Sequence, residues 1–356
     1  MKWIYSILIV FTLSWSFGQS AYFYDSNWQY FYIFNEDALH KAEFLPIQQA
    51  DCGSDYVVYI RNNNRFVIFT QGEAFDTELT NPRFYAKDNM LAFFVDEQLW
   101  TLSNGRPKMI EPWVIDDFAI GDDILCFSNN FDKFMVFQED SLHIVEFWNV
   151  NQVKAGDNLI AYLDNNNQFK VFYYGTKELI DEIPPQSFKV SKNVIAYVSN
   201  LGDFMIWDKG DIHDIQYQAP NWYACGEDFV AYVDPMNTFT VYYNGETKEL
   251  LTYKPEMVQI KDNVMIYTDD FGALYAFYQG EVIRLLSFSP DKVLIDKDIV
   301  VYRDNYGYLK GMHKGQKQSF SQEIAIDFDL FNSSLVYKPD RVKWIVFNDS
   351  KYYKYP

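Results

Sequence analysis

The sequence predicts an all-β repeat protein: a β-propeller of about ten short four-stranded blades, with an open β superhelix of the same units as the alternative. Three observations predict it. An aromatic anchor recurs at Tyr24, Tyr59, Phe93, Phe127, Tyr162, Tyr197, Tyr232, Tyr267, Tyr302 and Tyr337, with successive spacings of 34 or 35 residues. Each copy holds four short runs of alternating apolar and polar residues broken by Asn, Asp and Gly, the period-2 pattern of half-buried strands. Outside the first residues no run has a 3.6-residue period.

The copy from residue 258 shows each element in turn. Strand A is expected near Val258–Ile260 and strand B over Val264–Thr268, ending beyond the anchor. Strand C is expected over Leu274–Tyr278 and strand D over Glu281–Leu286. Seven residues after the anchor (six in the third copy) stands a large apolar residue such as Phe66, Phe134, Phe169 or Phe239. Three later stands another, such as Phe69, Phe137, Phe172 or Tyr242. The C-to-D turn carries Gly in most copies, as at Asn244-Gly245, because a two-residue hairpin needs positive φ. A polar pair such as Asp88-Asn89, Asp157-Asn158 or Asp262-Asn263 precedes the anchor. A sheet of about 35 residues cannot bury both faces alone, and stacking on its own copies can. The first copy has no room for strand A, and the chain stops after the last strand D. One blade is therefore expected to be three-stranded, or the ring incomplete.

Residues 1–18 read as a secretory signal peptide: Lys2, an apolar run from Ile4 to Leu13, and small residues before Gln19. Residues 19–356 are then one propeller domain, exported to the periplasm or the cell exterior, with no membrane span in the mature chain. The net charge of −19 repels phosphate backbones and argues against nucleic acid as a partner. Cys52, Cys126 and Cys225 are odd in number and widely spaced, so no disulfide framework is expected. They fall where other copies carry small apolar residues, which makes them core positions. His40, His143 and His213 share one register on strand D and read as outer-strand residues. His313 has no evident acidic partner in sequence.

Thr268-x-Asp270-x-Gly272-x-x-Tyr275 resembles the Asp-box of sialidase-like propellers, with Tyr in place of Trp. The resemblance covers one turn and implies a structural hairpin rather than an activity.

No nucleophile, metal or phosphate-binding motif is present. Asn and Asp runs in the B-to-C turns offer oxygens that suit calcium, although the same residues favour turns by bonding their own backbone. Trp113, Trp148, Tyr217, Trp222 and Tyr253 fall in the D-to-A connections. With strands running up and down, these share a face with the B-to-C turns. Rings beside amides and carboxylates suit a sugar or a peptide, so these five are the candidate ligand-binding residues. The expected function is an exported, non-enzymatic binding or scaffold protein contacting protein or glycan through this face. Alternatives are a glycan-active enzyme with carboxylates on the loop face, and a structural component of a cell-envelope complex.

Overall fold

The computed structural model describes residues 19–25 and 28–355. The expected signal peptide, residues 1–18, lies outside them. The described residues form 39 strands in ten antiparallel sheets and no helix. Nine sheets have four strands each; the first has three, Ala21–Asp25, Tyr30–Asn35 and Ala38–Glu43. We number the sheets as blades 1 to 10 and keep the letters A to D within each. Among the described residues blade 1 thus has no strand A. In blade 8 the strands are Val258–Lys261, Val264–Thr268, Leu274–Tyr278 and Glu281–Leu286, within one residue of the expectation.

The two apolar registers explain the stacking. Phe31, Phe66, Phe134, Phe169, Phe204 and Phe239, all fully buried or nearly so, each pack on the anchor ring of the following blade. The ring centroids lie 5.1 to 5.5 Å apart. In these six blades one aromatic therefore joins the sheet to its successor by tilted and edge contacts, while blades 3, 8 and 9 carry Leu99, Leu274 and Leu309 in the same place. A bulge follows the same register in blades 1 and 3 to 8, as at Phe169/Lys170, and adds twist to strand D. At the C-to-D turns both central residues have positive φ: Asn244 +50° and Gly245 +82°, for example. This is the hairpin geometry the Gly register implied.

The ring closes. Ala21, Phe23 and Phe34 of blade 1 pack into one cluster with Val336 and Val346 of blade 10. The Phe23 ring stacks on Trp344 at 4.4 Å. The open superhelix is thereby excluded. Strand D is the outer, solvent-facing strand; in blade 7, Glu246–Leu251 starts with four exposed residues. His40, His143 and His213 lie there, their rings tilted against Phe69, Phe172 and Tyr242.

Candidate functional site

The two ends of the ring differ. At one end the B-to-C turns meet the D-to-A connections, as the up-and-down order required. Asn221 Nδ2 donates to the Asp234 carbonyl at 3.0 Å, and the Asp270 N–H donates to Tyr253 Oη at 3.1 Å. This is the loop face. At the other end lie the A-to-B and C-to-D turns.

On the loop face the turns are built from their first residue. Asp269 Oδ1 accepts from the N–H groups of Phe271 (3.0 Å) and Ala273 (2.8 Å), and its Oδ2 accepts from Tyr275 Oη at 3.2 Å. Asn129, Asp164, Ser199 and Asp304 bond the backbone two and four residues on in the same way. These side-chain turns occupy oxygens that the sequence offered to calcium. The Asp-box-like register needs a correction: the carboxylate that fixes the turn is Asp269, one residue before Asp270. Gly272, at φ +75°, keeps its expected place.

Of the aromatic candidates, Trp113, Trp148 and Tyr217 stand 55%, 64% and 82% exposed in D-to-A connections. Tyr253 is half-buried and anchors the neighbouring turn through its hydroxyl. Trp222 is not in a connection: it is the first residue of strand A, Trp222–Cys225. There it packs against the core of blades 7 and 8. The five are divided among four blade junctions, and they do not share a pocket. None of them lines the two clefts beside blade 3, whose B-to-C turn is shorter. One of about 670 Å³ is lined by Arg83, Asp96, Glu97 and Val114. Another of about 780 Å³ is lined by Phe75, Phe93 and Trp100.

The opposite end holds an arrangement that the sequence reading missed. The A-to-B turns of successive blades bond one another: Ser54 N–H to the Asp88 carbonyl at 2.6 Å, Asp123 N–H to Asp157 at 2.7 Å, Glu227 N–H to Asp262 at 2.7 Å. A Cβ on Gly156 would overlap the Ser191 carbonyl, and one on Gly121 the Gly156 carbonyl. Side chains then meet across the axis. Carboxylate oxygens of Asp122, Asp157 and Asp262, from blades 4, 5 and 8, lie within 4.8 Å of one another. Lys297 of blade 9 reaches Asp88 of blade 3 at 2.6 Å and Ser54 Oγ of blade 2 at 3.1 Å. Lys192 pairs with Glu227 at 3.0 Å. Burial, then the neighbouring carboxylates, pushes Asp122 up to about 7 and Asp157 to about 8. Asp157 Oδ2 is shielded from solvent without a hydrogen-bond partner among the described residues.

His313 also departs from expectation. It ends strand C of blade 9, Leu309–His313, is 7% exposed, and has Asp298 at 4.0 Å. Burial holds its pKa below the usual range. Cys126 is buried as expected, and Cys52 and Cys225 are half-buried at the ends of strand A; all three are free thiols. Burial pushes Cys225 up to about 12, which keeps it an inert thiol.

Ten radially stacked sheets of this kind define a β-propeller. The chain belongs to the family described as the 10-bladed beta propeller domain, which matches residues 16–353. No curated protein sequence matches it. Among solved structures it is similar to the computationally designed Ika8 protein (16% identity, 77% of this chain and 95% of that one, TM-score 0.35). It is also similar to the CRINKLY WD40 ectodomain of the Arabidopsis thaliana receptor kinase ACR4 (10% identity, 66% and 96%, TM-score 0.39). A third is PorZ, a surface component of the type-IX secretion system of Porphyromonas gingivalis (9% identity, 92% and 57%, TM-score 0.29). Among the described residues no helix is long and apolar enough to cross a membrane.

Proposed function

We propose that the protein is exported and serves as a non-enzymatic binding or scaffold protein, contacting a protein or glycan through the loop face. The observation that carries this reading is the exposure of Trp113, Trp148 and Tyr217 at one end of a rigid ring. Amphipathic rings displayed on a preorganised surface bind at low entropic cost. A place in a cell-envelope assembly would use the same face. The test has two arms. Mass spectrometry of the exported fraction should find a chain starting at Gln19; a cytoplasmic chain retaining Met1 overturns export. Glycan-array and protein-binding signals should fall about tenfold or more in the triple variant W113A/W148A/Y217A. Unchanged binding by the folded variant overturns the face.

A second reading, a glycan-active enzyme, draws support from Asp122 and Asp157. Glycoside hydrolysis uses a protonated carboxyl together with an ionised one, and burial raises both Asp122 and Asp157, which supplies the acid of such a pair. They sit at the axis on the turn end, not on the loop face. Glycan hydrolysis abolished by Asp157→Asn without loss of fold would support it; no hydrolysis by the native protein would end it.

A further inference from the structure

The B-to-C turns carry a second pattern. Their middle residue is apolar and projects into solvent in four consecutive blades: Leu201 in blade 6, Met236 in blade 7, Phe271 in blade 8 and Tyr306 in blade 9. They are 86%, 85%, 88% and 77% exposed. Singly exposed apolar residues need no explanation; four in one register of adjacent blades do. The fold does not require them. In blade 5 the same position is Asn166, exposed, and its N–H bonds Asp164 Oδ1 at 2.8 Å. The corresponding bonds in blades 8 and 9 run from Phe271 to Asp269 at 3.0 Å and from Tyr306 to Asp304 at 2.9 Å. A polar residue thus satisfies the turn equally well. The capped turns also hold the four tips in place before any partner arrives, which lowers the entropy lost on binding.

The surround selects the partner. From residue 182 to residue 326, the B-to-C turns and D-to-A connections hold nine carboxylates and two lysines. An acidic rim of this kind, on a chain of net charge −19, repels a second copy of itself and anionic lipid. It attracts a protein surface whose apolar strip is bordered by Lys and Arg.

We propose that Leu201, Met236, Phe271 and Tyr306 form a docking row for a protein segment in which apolar residues alternate with, or are flanked by, basic ones. The proposal rests on the reading that the loop face is the binding face, and it names the part of that face that does the work.

The experiment uses the folded protein and a displayed library of random peptides. Selected peptides should be rich in apolar residues with adjacent Lys or Arg. Their affinity should fall about tenfold or more in the quadruple variant L201N/M236N/F271N/Y306N. It should also weaken when ionic strength rises from about 0.1 to about 1 M, which shortens the screening length from about 10 to about 3 Å. Asn at these positions keeps the turn, so melting should be unchanged; if the quadruple variant melts early, L201N and F271N alone carry the test. Binding lost in W113A/W148A/Y217A but kept in the Asn variant overturns the docking row and leaves the loop-face reading standing. Binding kept in both overturns both. Selection of acidic peptides, a dimer that the Asn variant dissolves, or vesicle binding that it abolishes each overturns the proposal.

Discussion

Nine residues stand five positions before the anchors of blades 2 to 10, among them Asp88, Asp122, Asp157, Lys192, Glu227, Asp262 and Lys297. In a ring this one register converges on the axis, so residues far apart in sequence share a single charge cluster. Asp157 there faces Asp122, Asp262 and Glu227, with the Lys192 ammonium opposing them; Asp88, Lys87 and Lys297 bear on Asp122 beside it. Its folded pKa, about 8, lies above the ordinary value of 3.8. A raised acid binds its proton more tightly when folded, so its contribution to stability is full below about pH 4. It declines as pH rises toward 8 and is flat beyond. Asp157→Asn should therefore leave stability unchanged near pH 4 and raise it above pH 8, by on the order of a few kcal/mol. Denaturant melts at the two pH values check this; a loss of stability at pH 9 would refute it. The polar pair before the anchor is plain in the sequence. Its convergence is not, because reading equivalent positions on different blades as distant holds for His40, His143 and His213 on the outer strand and fails at the axis.

Six blades, 1, 2 and 4 to 7, are joined to the next by a buried phenylalanine. Phe169 is fully buried, 5.4 Å from the Tyr197 ring and 4.9 Å from Phe188 of blade 6. Phe169→Ala should cost about 3–5 kcal/mol, measured by urea unfolding. Because the cavity opens between two blades, hydrogen exchange should rise in both blades 5 and 6; a rise confined to blade 5 would contradict the joint. This level was the most legible. Strand bounds in blade 8 and the Gly turns followed from alternation and φ alone. What escaped was chemistry with a one-residue tolerance. Asp269 and Asp270 are the same residue type side by side, and only the hydrogen bonds reveal which one builds the turn. Trp222 likewise sits one residue inside a strand rather than beside it.

For the ring as a whole the decisive contacts join its ends. Asn332 of blade 10 donates from Nδ2 to the Gly53 carbonyl of blade 2 at 2.8 Å, spanning 279 residues of sequence. Its N–H donates to Asp296 Oδ2 at 3.0 Å. Asn332→Ala leaves a buried carbonyl unpaired and should cost about 1–3 kcal/mol. Amide exchange should accelerate first in blades 1, 2 and 10, and uniform acceleration around the ring would argue against a seam. Closure could not be read from the chain, since a repeat specifies its neighbours and says nothing about how many copies complete a turn.

Among the described residues blade 1 has no inner strand, and this has a geometric effect. Ten sheets fill the circumference, while among the described residues nine A-to-B turns make up the inner circle, several stepping to the next by backbone bonds and two so closely that no Cβ fits at Gly121 or Gly156. The hub is thus one spoke short of the rim. Giving blade 1 an inner strand would widen that hub, carry Lys297 away from Asp88, and draw apart the three aspartates whose carboxylate oxygens now lie within 4.8 Å of one another.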